Sequence, residues 1–127
     1  MKRILIIDDD ENVRKLYGRY LSGQGYTVNC AEDGQEGLRL LETEPPDLVI
    51  TDILMPNTDG LEVVLTMRKN NPDTPVIAIS GGMRAAAIDF LPMVKKFGAC
   101  KVFYKPVVLA DLLVAVQEML AEERTAL

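Results

Sequence analysis

Short apolar runs rich in β-branched residues alternate along this chain with stretches whose apolar positions recur every three or four residues. The first run, Arg3 to Ile7, stops at Asp8-Asp9-Asp10. From Glu11 to about Gly23, Val13, Leu16, Tyr17, Tyr20 and Leu21 fall at helical spacing and predict an amphipathic helix packed through that stripe. Asp10 is the residue type of an N-cap, and Gly23 or Gly25 offers the left-handed turn that ends a helix. Tyr26 to Ala31 reads as a second strand. Gln35 to Glu44 reads as a shorter helix with Leu38 and Leu41 inward, halted by Pro45-Pro46. The third strand, Leu48 to Thr51, runs straight into Asp52. After the Asn57-Thr58-Asp59-Gly60 turn, Leu61, Val64 and Leu65 mark the apolar face of a helix over Leu61 to Lys69. Pro75 to Ile79 is the fourth strand, closed by Ser80-Gly81-Gly82. A fourth helix takes part of Ala85 to Phe97, starting late near Asp89 or kinked at Pro92. A short last strand lies around Cys100 to Phe103, and a last helix runs from about Leu109 to Glu122.

Strands that are apolar throughout, separated by helices, predict a doubly wound α/β sandwich whose parallel sheet is covered on both faces. Each crossover should be right-handed. At 127 residues, with no repeat or low-complexity tract, the chain fits one domain over 1–122. Residues 123–127 are expected to be a frayed tail or the start of a linker. Met1 points to an intact N-terminus, whereas Glu122-Glu123-Arg124 fits both a true end and a linker.

Composition narrows the chemistry. With 14 basic and 19 acidic side chains the formal charge is -5, and an acidic surface repels the phosphate backbone, so no direct nucleic-acid partner is expected. No apolar run approaches the roughly 18 residues of a membrane span. The apolar start breaks at the aspartates, which favours a buried strand over an export signal, and a cytoplasmic location is therefore expected. Cys30 and Cys100 sit in apolar segments without a CxxC pair and read as core thiols. The absence of histidine excludes zinc sites of the usual kind and His-dependent triads.

In an open α/β sheet the binding crevice lies at the carboxyl ends of the strands. Asp8 and Asp9 follow strand one, Asp52 follows strand three, Ser80 ends strand four and Lys105 lies just past strand five. Adjacent strands one and three would bring the carboxylates within a few ångströms, where like charges repel. A hard divalent cation relieves that repulsion. Oxygen ligands with water and a phosphoryl group suit Mg²⁺. A carboxylate can attack phosphorus to give an acyl phosphate, a lysine ammonium can offset charge on the phosphoryl oxygens, and the Ser80 hydroxyl can donate to one of them. Neither GxxxxGK[ST] nor GxGxxG occurs, so the expected donor is a phosphorylated small molecule or, better, a phosphorylated residue of another protein.

Together, Ile4-Leu5-Ile6-Ile7-Asp8-Asp9-Asp10, Asp52-Ile53-Leu54-Met55-Pro56, Asp59-Gly60, Ile79-Ser80-Gly81 and Lys105-Pro106 resemble the receiver domain of bacterial two-component response regulators, over residues 2 to about 122. The resemblance implies a flavodoxin-like three-layer sandwich with five parallel strands in the order 2-1-3-4-5, the order for which the chemotaxis receiver is a known example. It implies that Asp52 is the phosphoacceptor. Asp9 would ligate Mg²⁺ directly, Asp8 largely through water, and the Leu54 backbone carbonyl would complete the protein ligands, with Mn²⁺ as a substitute metal. Lys105 would bridge to the phosphoryl group, and Lys105-Pro106 would be cis. The donor would be a phosphohistidine on a sensor histidine kinase or a phosphotransfer protein.

In this family a Ser or Thr hydroxyl, here Ser80, is coupled to an aromatic residue three positions before the lysine, which here is Val102. Phe103 should face the other way. Tyr104 shares Val102's face only if the strand reaches it. An altered readout through the loop after Ser80 and the fourth helix is therefore expected, with Gly81 and Gly82 as flexible points. Leu54 and Gly82 offer no water-orienting group, which implies slow self-dephosphorylation rather than enzyme turnover. The output is expected to be a downstream protein or a separate output domain, and the exposed side of the last helix with 97–105 is the first choice of partner or homodimer face. Two readings compete with this phosphoacceptor signalling module. A degenerate receiver scaffold would take no phosphate. A Mg²⁺-dependent aspartyl-phosphate phosphohydrolase would need a second acid or base near Asp52, where Leu54 stands.

Overall fold

A computed structural model of the chain describes residues 1–53, 60–80 and 101–125. Within them the strands are β1 (Arg3–Ile7), β2 (Thr27–Ala31), β3 (Leu48–Asp52), β4 (Val76–Ser80) and β5 (Lys101–Tyr104). The helices are α1 (Glu11–Gly23), α2 (Gly34–Thr43), α3 (Gly60–Asn70) and α4 (Leu109–Thr125). The helix expected within 85–97 lies outside the described residues, as do Leu54, Met55, Pro56, Gly81, Gly82 and Cys100.

The five strands form one parallel sheet in the order β2-β1-β3-β4-β5. Alternation along each strand divides its apolar residues between two cores. Ile4 and Ile6 of β1, Ile50 of β3 and Ile77 and Ile79 of β4 pack with Tyr17, Leu21 and Leu112 on the α1 and α4 side. Leu5, Ile7, Val49, Val76 and Ala78 pack with Leu40, Leu41, Val64 and Met67 on the α2 and α3 side. That double burial is why β1, β3 and β4 read as unbroken apolar runs.

Local chemistry sets the element ends. Asp10 caps α1 by accepting from the Asn12 and Val13 amides, and Asp33 caps α2 by accepting from Glu36 N–H. Gly25 takes the left-handed conformation, φ 100°, that turns the chain from α1 into β2. Gly37 is where α2 crosses β1 most closely: a Cβ there would stand 2.5 Å from Ile7 Cδ1. α2 thus lies directly on the residue before Asp8. The last helix continues to Thr125, beyond the expected end near Glu122.

Three expectations about packing need correction. Leu16 and Leu65 are exposed rather than inward, because the sheet covers a narrower stripe of each helix than the run of apolar residues implied. Cys30 is exposed rather than a core thiol, because β2 is an edge strand and one flank of it lies open. Burial of its sulfur on α1, 3.9 Å from the Arg14 carbonyl, still pushes the thiol pKa up.

Candidate functional site

The site is assembled at the carboxyl rim, where β1 and β3 are neighbours and the strand order reverses. Carboxylate oxygens of Asp8, Asp9 and Asp52 lie within 4.8 Å of one another. Lys105 Nζ reaches into the cluster from beyond β5, donating to Asp8 Oδ2 at 3.1 Å and to Asp52 Oδ2 at 3.2 Å. Asp8 and Asp52 are 2 % and 5 % exposed, so both charges are removed from water. The Lys105-Pro106 bond is cis.

Every polar atom of Asp8 is committed. Its N–H donates to the Ala31 carbonyl (3.1 Å), its Oδ1 accepts from Asp10 N–H (2.9 Å) and its Oδ2 accepts from Lys105. Its carbonyl accepts from Arg14 Nη1 at 2.8 Å. Asp9 differs: its side chain is exposed, and no hydrogen bond or ion pair among the described residues holds it. Asp52 is braced from behind by Thr51, whose buried hydroxyl donates to the Asp52 carbonyl at 3.0 Å.

Burial is the largest influence on Asp8 and raises its pKa above the usual carboxylate range; the Asp10 N–H and the Lys105 charge pull it down, and Asp9 pushes it up. At Lys105 burial again acts most strongly and lowers the pKa. The Asp52 and Asp8 charges together outweigh it, and the net shift is upward. The difference follows from exposure: Asp8 is nearly sealed, whereas the Lys105 side chain is a quarter exposed (25 %) and faces two carboxylates. Tyr17 is buried in the core beneath this cluster, and burial raises its phenol pKa, with Lys105 opposing.

A divalent cation fits these residues. Among the described residues three carboxylates, two of them buried, gather around the Lys105 ammonium as a cluster of hard oxygen donors. The cost that burial imposes on ionised Asp8 is the cost a bound cation would remove.

Ser80 ends β4, 3 % exposed, and its carbonyl accepts from Lys105 N–H at 2.8 Å. Val102 is half-buried against the α2 and α3 side core and pairs in register with Ala78. Phe103 packs on the opposite face, as expected. The strand does persist to Tyr104, which pairs directly with Ser80, so the aromatic nearest to Ser80 on Val102's face is two residues further along. Sequence reasoning did not single out Arg14 or Thr51. Arg14 is the basic residue one turn after the N-cap, but nothing in spacing alone announces that it reaches back to β1.

A flavodoxin-like sheet with an acidic, lysine-bridged crevice at its switch point places the chain among α/β signalling domains. The particular family follows from comparison: the response regulator receiver domain profile matches residues 4–117, and the chain belongs to that family. Response regulator MprA of Mycolicibacterium vanbaalenii is 36% identical over 127 residues, covering 93% of this chain and 50% of MprA. The chain thus spans about half the length of the curated relatives it matches. Among solved structures, a CheY-like receiver domain protein from Methanospirillum hungatei superposes with a TM-score of 0.90 at 32% identity, covering 99% of this chain and 98% of that one. A receiver domain protein from Clostridium thermocellum gives 0.88 at 28% identity, covering 100% of both chains. Receiver domains of two-component systems are generally signalling modules rather than enzymes; they generally bind Mg²⁺ at an acidic site and interact with histidine kinases and output domains. Among the described residues no helix is long and apolar enough to cross a membrane.

Proposed function

We propose that this domain takes a phosphoryl group from a phosphohistidine of a sensor histidine kinase or phosphotransfer protein onto Asp52 and thereby changes what it binds. The observation that carries this reading is the Lys105 ammonium placed between Asp8 and Asp52, at 3.1 and 3.2 Å, with Asp9 beside them. In the transfer, an Asp52 carboxylate oxygen bonds to phosphorus as the phosphorus–nitrogen bond to the donor breaks, leaving an acyl phosphate and a neutral imidazole after protonation. Asp9 and Asp52 would hold Mg²⁺ or Mn²⁺ with the Leu54 carbonyl, and Asp8 would act on it through water. The metal supplies charge neutralisation at the phosphoryl oxygens. Lys105 leaves one carboxylate for the phosphoryl group, and Ser80 donates its hydroxyl to it.

A protein donor is favoured by the surface beside the acceptor. Val13, Leu16, Tyr17, Lys105, Pro106 and Val107 line a mostly apolar pocket of about 380 Å³, and Leu16 and Val108 are 53% and 61% exposed next to it. A small donor has no use for that much apolar surface, whereas a helix of a partner does. The output belongs to a downstream protein or to a separate output domain, and the exposed flank of α4 around Val114, with Lys101 and Phe103, offers a second face, including for a homodimer.

Incubation of the domain with acetyl phosphate and Mg²⁺ should incorporate one phosphoryl group per chain, and Asp52→Asn should incorporate none. Equal incorporation by both proteins, or none by the unaltered domain under conditions in which it binds Mg²⁺, would overturn the assignment. Phosphotransfer profiling against the histidine kinases of the host then identifies the donor.

A further inference from the structure

We infer that Arg14 is a positioning residue for the cation, acting through the backbone of Asp8; this rests on the reading of the acidic cluster as a metal site. Arg14 projects from the first turn of α1, is half-buried, and donates from Nη1 to the Asp8 carbonyl at 2.8 Å. That carbonyl belongs to the peptide joining Asp8 to Asp9. Its orientation sets where the Asp9 Cα stands and in which direction its carboxylate leaves the chain.

The bond matters because of what surrounds it. The carboxylate, N–H and carbonyl of Asp8 are each tied to a different element, β5's following turn, β2 and α1 respectively. Asp9 has no such tie among the described residues, so the only control over its carboxylate is the peptide before it and the helix cap after it. The cap bond, Asp10 Oδ1 accepting from Asn12 N–H at 2.8 Å, holds the far side. The Arg14 guanidinium holds the near side. Partners of this kind, which orient ligands without touching the metal, commonly alter affinity by about 10- to 100-fold when removed.

Charge and position act in opposite directions here, which makes the inference testable. Arg14 is a cation close to a cation site, so through-space charge alone says that removing it should tighten metal binding. Loss of positioning says that removing it should weaken metal binding. Arg14→Met keeps the length of the stem and discards both charge and donor. Arg14→Lys keeps the charge but presents a single ammonium in place of the planar fork.

The experiment is a titration of the whole domain with Mg²⁺ by calorimetry and with Mn²⁺ by electron paramagnetic resonance, alongside thermal melting without metal. Arg14→Met is expected to bind both ions about 10-fold more weakly, and Arg14→Lys to recover part of that loss. Metal binding by Arg14→Met that is unchanged or tighter overturns the inference. Recovery of the loss by Arg14→Lys, partial or full, supports the inference, because lysine restores a donor while its charge alone would only weaken cation binding. If Arg14→Met melts early, Arg14→Leu, which likewise lacks both charge and donor, replaces it and is titrated well below its melting temperature, and unchanged or tighter binding there is equally fatal. Failure of the unaltered domain to bind either ion would instead remove the metal-site reading itself, so the two failures are distinct.

Discussion

The two rims of the sheet use charge in contrary ways. At the amino rim, polar groups close loops, although the Nε atoms of Arg3 and Arg68 are buried without a hydrogen-bond partner among the described residues. Arg3 N–H donates to Asp47 Oδ2 at 2.8 Å while Asp47 N–H returns a bond to the Arg3 carbonyl at 2.7 Å, tying β1 to the turn before β3. Arg68 clamps the turn between α3 and β4 through the Pro72 and Thr74 carbonyls. At the carboxyl rim, three carboxylates of the described residues are crowded around the Lys105 ammonium. The amino rim is arranged for stability. The carboxyl rim carries an electrostatic cost that a bound cation would relieve.

The largest test of that contrast is Lys105→Met. It strips the ammonium that bridges the buried carboxylates of Asp8 and Asp52 and should destabilise the metal-free domain by about 2 kcal/mol in denaturant titration at neutral pH. Because the folded-state pKa of Lys105 is raised, its contribution is complete below the ordinary lysine value of 10.5 and disappears as the pH climbs through the raised value. The deficit of the variant should therefore shrink in strong alkali, and added Mg²⁺ should restore part of it. Persistence of full stability in Lys105→Met would mean that the carboxylates do not repel one another in the folded chain.

Asp8→Asn should do the reverse on a smaller scale. A carboxylate whose folded-state pKa is raised stabilises the fold below its ordinary value of 3.8 and loses that contribution as the pH rises through the raised value. At neutral pH the neutral amide should then melt higher by about 1 kcal/mol in the absence of metal. The advantage should vanish near pH 3, and Mg²⁺ should stabilise the unaltered protein but not the variant. A lower melting point at pH 7 would show that the Lys105 pairing outweighs burial at Asp8.

The smallest effect belongs to the other rim. Asp47→Ala removes one acceptor from the Arg3 amide and should cost about 0.5 kcal/mol, with Mg²⁺ affinity unchanged in the same preparation. A shift in metal affinity there would mean that the two rims are mechanically coupled through β1 and β3.

Much of this arrangement was legible in the residues. Ile4 to Ile7, Leu48 to Ile50 and Val76 to Ile79 are apolar on both parities because two helical layers cover them, and such runs admit no other simple reading. Asp10 as a cap was also legible, since its type and place before an amphipathic stretch leave few alternatives. The strand order was not: periodicity says which residues are buried but not which strands are neighbours, and the order came from family resemblance. Leu16 misled because an apolar residue on the flank of a helical stripe looks the same whether it faces a sheet or a partner. Cys30 misled because an edge strand shares the composition of an inner one. Arg14 and Asp47 were illegible for a further reason, as each acts on a backbone group far away in sequence or in the preceding loop, and backbone groups carry no letter.

Lys105 knots together stretches made at very different times. Its side chain meets Asp8 across 97 positions and Asp52 across 53, and its amide meets Ser80. During synthesis the acidic residues emerge early and wait, mutually repelling, until the final quarter of the chain arrives to close the circuit. A nascent or nicked polypeptide lacking that portion would carry Asp8, Asp9 and Asp52 and yet lack the Lys105 bridge that gathers them. Competence for signalling is in this sense a certificate of completed folding.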